Sequence, residues 1–323
     1  MKVFITGATG FIGSHLADAL LEDPKNEVRC LVRSDLKWLR EKGVIPVKGD
    51  LHDLPALQKG LEGADVVFHL AAHVKAPKPE IFYRTNVEAT ENIIRMAQKA
   101  GVPKMVVLSS LAAAGPSFQH PVSESDPMLP VSMYGQSKKE MEEMIHRVAA
   151  PGDSITILRP PAVYGPREEN ILSFFKIASR GICPIVGSGA TNRISMVHVA
   201  DVVQGLLLAW DQTEPGVHTY FVSGPEVYTW NEIKDATARA LNKRLITLPL
   251  PPKVVSLVGA FSETAGSLVG TYPIMNRDKA REMTLQWTCS IDKIKRELGF
   301  KPEYDIREGL AHTITWYRRH RWL

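Results

Sequence analysis

The sequence has few of the features that mark secreted, metal-binding or membrane-spanning proteins. Its three cysteines, Cys30, Cys183 and Cys289, lie far apart and form no Cys-x-x-Cys or Cys–His spacing. They provide neither a disulfide framework nor a zinc site, so we predict no bound metal. No run reaches the roughly 18 apolar residues of a membrane span, and the chain enters a predicted strand at once with no apolar leader before it. We therefore expect a reducing, cytoplasmic setting and no membrane span.

An excess of one charge is also missing. The 39 Lys and Arg residues nearly balance the 35 Asp and Glu residues, giving a formal net charge of +4, and no dense cationic stripe occurs before the last residues. We therefore predict no nucleic-acid partner. The basic end, Trp316–Leu323, is either a solvated last helical turn whose cations suit the helix dipole, or a contact with an acidic surface. Hydrophobic residues make up 44% of the chain, which is typical of a globular protein with a sizeable core.

A glycine-rich turn near the N-terminus is the clearest motif. The apolar run Val3–Ile5 is followed by Thr6-Gly-Ala-Thr-Gly-Phe-Ile-Gly13 and then by an amphipathic series, which indicates strand, turn and helix. Gly7 permits a tight turn, Gly10 lets the backbone approach a pyrophosphate, and Gly13 lets the helix pack against the strand. This context predicts a dinucleotide-binding turn, whereas three glycines alone would indicate only a turn.

The helix that follows this turn is predicted to bind the phosphates. Its unpaired N–H groups and the positive end of its dipole favour an anionic ligand without a basic side chain. We therefore predict that Gly10, Phe11, Ile12 and Gly13 contact the cofactor together with Gly7.

Apolar strands alternate with amphipathic helices after this turn. The predicted strands end near Val32, Val47, Leu70, Leu108 and Leu158, and helices are predicted at 35–42, 81–100 and 132–148. Such alternation is typical of βαβ units with a parallel sheet covered on both faces. We predict an α/β fold, a Rossmann-type doubly wound parallel sheet with a smaller, partly interleaved C-terminal substrate lobe. Residues 1–160 are predicted to be the dinucleotide-binding domain, and 161–323 mainly the substrate-binding lobe.

The residue at the end of the second predicted strand bears on the choice of cofactor. In dinucleotide folds a carboxylate here binds the ribose 2′-hydroxyl of NAD, whereas an Arg accommodates the 2′-phosphate of NADP. This sequence has Arg33, with Ser34 beside it as a further hydroxyl donor. We therefore expect NADP to be preferred and NAD to be possible. In the alternative interpretations Asp35 turns back to the ribose, or Arg33 is a solvated loop cation.

Two further segments are candidates for the adenosine site. Asp50 and Leu51 follow the third predicted strand and would suit the adenine edge. Leu70, Ala71 and Ala72 follow the fourth and would form an apolar floor with little side-chain bulk. Each of these signals is weak by itself.

Tyr134 and Lys138 are the candidate catalytic pair. They are four residues apart, so they lie on one face of a helix about one turn from each other. A tyrosine has an ordinary pKa of about 10 and needs a nearby cation to move a proton at neutral pH. Lys138 could supply that cation and also bind the nicotinamide ribose. Ser110, at the end of the fifth predicted strand, would hydrogen-bond the same substrate oxygen.

Together these motifs resemble the extended short-chain dehydrogenase/reductase superfamily, in the branch called the NAD-dependent epimerase/dehydratase family. The motifs that carry the resemblance, in family order over nearly the whole chain, are Thr6–Gly13, Asp50-Leu51, His69–Ala72, Asn86–Thr90, Ser109-Ser110, Tyr134–Lys138, Arg159–Pro166, His198–Asp201 and Leu298–Pro302. The resemblance implies a catalytic triad of Ser110, Tyr134 and Lys138, with Tyr134 as acid/base. It also implies that Pro160 and Val163 touch the nicotinamide end and that Asn86 supports the cofactor site.

Two departures from the family pattern bear on the reaction. Sugar-nucleotide dehydratases of this family carry an Asp-Glu pair after the catalytic serine or threonine, where this chain has Leu111 and Ala112. Related epimerases carry an Arg-Asp pair that aligns here with Ile194-Ser195. Arg193, our candidate substrate-binding residue, is one position out of register, and neighbouring strand residues point to opposite faces unless a bulge intervenes.

An apolar run occupies the predicted substrate lobe at 254–270, with Val254, Val255, Leu257, Val258, Phe261, Leu268 and Val269. It is either a core helix or an apolar lid over a hydrophobic substrate, as in relatives similar to hydroxysteroid dehydrogenases and dihydroflavonol reductases.

We predict an NAD(P)-dependent oxidoreductase that transfers hydride at a secondary alcohol or ketone of a small or moderately apolar substrate. The alternatives are an NAD-dependent nucleotide-sugar epimerase and, from another class, a non-catalytic dinucleotide-binding regulator. The family resemblance implies a homodimer through the helices near Ile81 and Ser132.

Overall fold

The computed structural model describes residues 1–212, 214–269 and 276–323, with the side chains of all but 263–269. Its strands are β1 (Lys2–Thr6), β2 (Glu27–Val32), β3 (Ile45–Lys48), β4 (Val66–His69), β5 (Lys104–Leu108), β6 (Ser154–Arg159), β7 (Ala162–Tyr164), β8 (Ile182–Val186), β9 (Arg193–His198), β10 (Gly216–Phe221), β11 (Val227–Thr229) and β12 (Ile246–Leu250). Seven of them form one parallel sheet in the order β10-β6-β5-β4-β1-β2-β3. This confirms the predicted Rossmann-type fold.

Helices cover both faces of this sheet and also build the C-terminal lobe. They are α1 (Phe11–Leu21), α2 (Leu54–Leu61), α3 (Pro79–Phe82), α4 (Ala89–Ala100), α5 (Leu111–Ala114), α6 (Met133–Val148), α7 (Leu172–Ala178), α8 (Val199–Asp211), α9 (Trp230–Leu241), α10 (Pro252–Val269), α11 (Arg277–Glu282), α12 (Asp292–Leu298) and α13 (Ile306–Arg319). Within the described ranges, none of them has the length and apolar character needed to cross a membrane.

Successive residues of a buried strand belong to two separate hydrophobic cores, one on each face of the sheet. Val3 and Ile5 of β1 belong to a core with α1, α8 and α12, whereas Phe4 between them belongs to a core with α2, α4 and α6. Neighbouring residues of a strand point to opposite faces, so one apolar strand supplies both layers. The doubly wound arrangement therefore follows from the continuous apolar character of the buried strands.

The C-terminal half builds the smaller lobe and also returns to the main sheet. Two small sheets, β11-β9-β7 and β12-β8, lie in this half with the packed helices α9 and α13. The strand β10 pairs with β6 at the edge of the central sheet, and α8 packs on α1. The two halves are therefore interleaved beyond residue 160.

Two of the predicted helices differ from the structure. The predicted helix at 35–42 is only a 3-10 turn at Lys37–Leu39, because Lys37 and Glu41 adopt left-handed backbone conformations with φ of 49° and 61°. The predicted helix at 81–100 is a run of α3, a π-helix at Tyr83–Glu88, and α4. The apolar run from Val254 lies mainly in α10, and the side chains of 263–269 and all of Gly270 fall outside what the structure describes.

Candidate active site

The glycine turn between β1 and α1 has no room for side chains on its inner side. Gly7 has a φ of 77°, and a Cβ added to it would lie 2.5 Å from the Ala71 nitrogen. A Cβ on Gly13 would lie 2.2 Å from the Gly7 carbonyl oxygen. A Cβ on Gly10 would meet only that same oxygen, at 3.2 Å, so the outer side of the turn is open to a ligand.

The start of α1 is suited to a phosphate. Its N-cap is Gly10, which has no capping side chain, and no acidic residue lies in the first turn. The N–H groups at Phe11, Ile12 and Gly13 therefore face outward with the positive end of the helix dipole. Leu70, Ala71 and Ala72 are half-buried directly beside Gly7 and form a backbone-rich floor. The turn fits a dinucleotide pyrophosphate.

Two charged residues follow β2, and only one of them, Asp35, has hydrogen-bond partners among the described residues. Asp35 accepts hydrogen bonds from the Lys37 backbone N–H at 2.9 Å and from Arg40 at 3.0 Å, and these contacts lower its pKa. Arg33 is exposed, and among the residues that the structure describes it has neither a hydrogen bond nor an ion pair. The geometry therefore favours the interpretation of Arg33, rather than Asp35, as the group that faces the ribose.

The other predicted cofactor residues lie at the same carboxyl edge of the sheet. Asp50 is exposed after β3 and accepts the His52 N–H at 2.8 Å, with Leu51 half-buried beside it. Pro160 is buried directly after β6, and Val163 is half-buried in β7.

Asn86, which the resemblance implies to be a supporting residue of the cofactor site, makes three hydrogen bonds. It is fully buried in the π-helix and donates to the Ser137 hydroxyl at 2.9 Å and to the His73 carbonyl at 3.0 Å, while it accepts the His73 N–H at 2.9 Å. These bonds tie the loop after β4 to α6, so Asn86 positions the floor of the cofactor site relative to the Tyr134 helix.

Ser110 and Tyr134 come together at the end of β5. Ser110 caps α5 and accepts the Ala112 N–H at 3.1 Å. Burial raises the pKa of Tyr134 to about 12, and the hydrogen bond with Ser110 opposes this rise. We expected Lys138 to lower the pKa of Tyr134, but burial of the phenol raises it. The phenol therefore holds its proton at neutral pH.

Lys138 lies one helical turn further along α6, and its side chain is buried. Its ammonium donates to the Leu108 carbonyl at 2.8 Å. Burial lowers the pKa of Lys138 to about 8, and the carboxylate of Glu142 acts against this lowering. Lys138 thus remains mainly cationic at neutral pH and is anchored to the strand that carries Ser110.

Glu142 and Arg159 complete this network, and the sequence analysis missed their pairing. Arg159 donates to Glu142 through Nε at 3.0 Å and through Nη2 at 2.6 Å. Ser109 also donates its hydroxyl to Glu142. The only available signal was the position of Glu142, four and eight residues after Lys138 and Tyr134, on the same helix face.

A carboxylate from α11 also lies beside the candidate active site. Asp278 accepts the Met133 N–H at 2.9 Å, which places α11 against the start of α6. Glu282, one turn after Asp278, is close enough to Tyr134 to contribute to its raised pKa. No sequence pattern joins these residues, because Met133 and Asp278 are 145 positions apart in the chain. The positions after Ser110 hold Leu111, which is buried, and Ala112.

Arg193 is exposed at the start of β9. Residues Arg193, Ile194 and Ser195 pair one to one with Thr229, Tyr228 and Val227, so β9 has a regular register here. Arg193 contributes to the lowered pKa of Glu232. Ser195 is buried and its hydroxyl accepts the Cys289 N–H at 3.2 Å.

Within the described ranges, no group of three His, Cys, Asp or Glu side chains could hold a metal ion.

The family model described as "NAD dependent epimerase/dehydratase family" matches residues 3–223. The chain belongs to this family. It is 33% identical over 325 residues to the "Ceramide reductase" of Caulobacter vibrioides, covering 99% of this chain and 96% of that one. It is 27% identical over 320 residues to the "N-acetyl-alpha-D-glucosaminyl-diphospho-ditrans,octacis-undecaprenol 4-epimerase" of Escherichia coli O157:H7, covering 97% and 94%.

A solved structure described as "MoeE5 in complex with UDP-glucuronic acid and NAD" has a TM-score of 0.78 and 29% identity to this family member, covering 99% and 100% of the two chains. The predicted family, fold and enzyme class, an NAD-dependent enzyme of the extended short-chain dehydrogenase/reductase type, are confirmed. A nicotinamide dinucleotide is the cofactor that the glycine turn fits.

Proposed function

We propose that this family member is an NADP-preferring ketone reductase that acts on a moderately apolar substrate. The observation that carries the proposal is the buried Tyr134 phenol, which keeps its proton beside Ser110 at the carboxyl edge of the sheet. A group that is protonated at neutral pH is suited to donate a proton to a ketone oxygen.

Ser110, Tyr134 and Lys138 have different roles in the proposed reaction. Ser110 hydrogen-bonds the ketone oxygen, and Tyr134 donates its proton to that oxygen as the carbonyl becomes an alcohol. Lys138, held by the Leu108 carbonyl, supplies a fixed positive charge near the phenol. The nicotinamide, when bound, supplies the hydride that the carbonyl carbon accepts. A proton from solvent then restores Tyr134.

Three observations support reduction over the rival reactions. Dehydration requires a carboxyl group after the catalytic serine, and Leu111 and Ala112 have none. Epimerisation of a nucleotide-linked sugar requires a cation at the diphosphate, and Arg193 lies at the exposed start of a regular strand. The unpaired Arg33 favours NADP, a cofactor that reductases exchange in each cycle.

The deciding experiment identifies the cofactor that the purified protein carries. Freshly purified protein is denatured and the released dinucleotide is identified with its redox state, and then NADPH and NADH are titrated into the cofactor-free protein. We expect an empty protein that binds NADPH more tightly and consumes it with apolar ketones. Stoichiometric bound NAD with no NADPH turnover would instead support the epimerase.

The oligomeric state of the protein is part of the same proposal. We propose a homodimer through the π-helix and α6, as the family resemblance implies, with the exposed Tyr83 of the π-helix at the contact. Sedimentation velocity with Tyr83→Glu tests this, and we expect the variant to be monomeric if the wild type is a dimer. A monomeric wild type would refute it.

A further inference from the structure

The helix α10 turns its large apolar side chains outward. Val254, Leu257, Val258 and Phe261 are all exposed, with Leu257 at 69% and Phe261 at 78%. They recur at intervals of three and four residues, so they form one continuous stripe along the helix. Large apolar residues of a helix normally face the core, and this stripe does the opposite.

The inner face of α10 is made of small residues. Val255 is buried with Ala280 of α11, and Gly259 lies against α11 so closely that a Cβ would be 2.7 Å from the Asn276 carbonyl oxygen. The helix therefore packs by its small side. The stripe at 254–261 faces away from this contact, so these residues do not form the core helix that was one of the two predicted alternatives for the run.

The neighbouring two-stranded sheet also exposes large apolar side chains. Ile246 pairs with Ile182 across β12 and β8, and both side chains are exposed, Ile246 at 75%. Leu248 is exposed on the same strand, two residues from Ile246 and on the same face. β12 leads directly into α10, so the stripe and these strand residues belong to one part of the lobe.

The sequence stretches that bear the exposed apolar residues contain cations and, among the described side chains, no carboxylate. The nearby Asp235 of α9 is exposed but pairs with Lys234, which contacts Thr247 of β12. No Asp or Glu occurs from residue 170 to residue 200 or from residue 236 to residue 262. The exposed cations of the elements around the apolar surface are Lys176, Arg180, Lys243, Arg244 and Lys253. Since the two signs nearly balance over the whole chain, this concentration is local. We call these cations with the exposed apolar residues of α10, β8 and β12 the apolar-basic face.

We propose that the apolar-basic face docks on the surface of an anionic lipid bilayer. Apolar side chains flanked by Lys and Arg suit the boundary between acyl chains and headgroups, where the cations pair with lipid phosphates. A second copy of this chain is a poorer occupant, because a two-fold contact would bring the same cations near one another.

The face lies on the outer side of the elements that border the candidate active site. α10 packs on α11, and α11 contacts the residue before Tyr134 through Asp278. Docking would therefore bring the candidate active site close to the membrane surface. Vesicle binding requires no catalysis, so it stands or falls independently of the proposed reductase activity.

The test is flotation of the full chain with vesicles of phosphatidylcholine alone or mixed equally with phosphatidylglycerol. We expect the protein to float with the mixed vesicles and much less with the neutral ones. Leu257→Ser with Phe261→Ser should weaken binding by about tenfold or more through lost apolar burial. Arg244→Glu with Lys253→Glu should weaken vesicle binding by a similar factor, on the order of tenfold for the two charge reversals together.

The matched control is Ile45→Ser with Leu54→Ser, which removes two exposed apolar side chains, one from the edge strand β3 of the central sheet and one from the start of α2. This control should float like the wild type, and NADPH binding in all variants shows that they fold. A wild type that stays off the mixed vesicles, or face variants that float as well as it does, would overturn the proposal. So would a wild-type dimer that the Leu257 and Phe261 changes convert to a monomer, because the face would then join two copies.

Discussion

Arg159, at the end of β6, binds both carboxylate oxygens of Glu142 on α6. Nε lies 3.0 Å from each oxygen and Nη2 lies 2.6 Å from Oε2, with the two side chains only 6% and 1% exposed. The Ser109 hydroxyl donates to the same carboxylate. This buried pair fastens α6, which carries Tyr134 and Lys138, to the strands β5 and β6.

The Glu142–Arg159 pair should be costly to break from one side. Glu142→Gln leaves the Arg159 charge buried without its counter-charge, so we expect a loss of about 3–5 kcal/mol in the free energy of unfolding. Changing both residues to Met should recover most of that loss, because no charge is then left unpaired. Urea unfolding measures both.

The neighbouring Glu143 provides the control for this stability prediction. Its side chain is 45% exposed and it pairs with Lys139 at 3.9 Å. Glu143→Gln should change the free energy of unfolding by about 0–1 kcal/mol. A Glu142→Gln protein as stable as the Glu143→Gln protein would contradict the importance of the buried pair.

Reductase activity should decline as the pH rises through about 8. The lowered pKa of Lys138, about 8, means that its positive charge is present below that pH and lost above it. Tyr134, at about 12, is not the group that titrates in this range. Glu142→Gln should move the descending limb of the kcat profile to lower pH, because Glu142 raises the pKa of Lys138. Glu143→Gln should leave it in place, and a limb near pH 10 would contradict the assignment.

Local sequence signals predicted the parts of the site that lie within one element or one turn. Gly7, Gly10 and Gly13 form the tight turn between β1 and α1 as expected, because backbone conformation and close approach are dictated by residues a few positions apart. Tyr134 and Lys138 share a helix face for the same reason. The alternation of strands and helices likewise predicted the parallel sheet.

Contacts between distant segments could not be predicted in this way. Glu142 meets Arg159, and Glu282 approaches Tyr134, only because the sheet order and the interleaved C-terminal half bring them together. The raised pKa of Tyr134 could not be predicted either, since burial of the phenol is a tertiary property. The outward orientation of the apolar stripe of α10 could not be predicted either, because the spacing of apolar residues does not show which face of a helix packs on the core.

Tyr134→Phe should lower kcat by about 10²–10⁴-fold, the usual contribution of one positioned proton donor. NADPH binding, measured by fluorescence titration, should persist because the ring is retained. Tyr83→Phe, which removes a hydroxyl from an exposed tyrosine of the π-helix, is the matched control and should leave kcat unchanged. A Tyr134→Phe enzyme with near-normal turnover would remove Tyr134 from the reaction.

Arg33→Asp should shift cofactor preference toward NAD. Arg33 is exposed at the end of β2, while Asp35 is already engaged by Arg40 and the Lys37 backbone, so Arg33 is the group left to meet a 2′-phosphate. A hydrogen bond to a charged group contributes about 1.5–3 kcal/mol, which predicts a loss of about 10- to 100-fold in kcat/KM with NADPH. Lys25→Asp makes the same charge change on the exposed loop before β2 and should leave the ratio of NADPH to NADH unchanged. An unchanged ratio in Arg33→Asp would mean that Arg33 is a solvated loop cation and that cofactor choice rests on other residues.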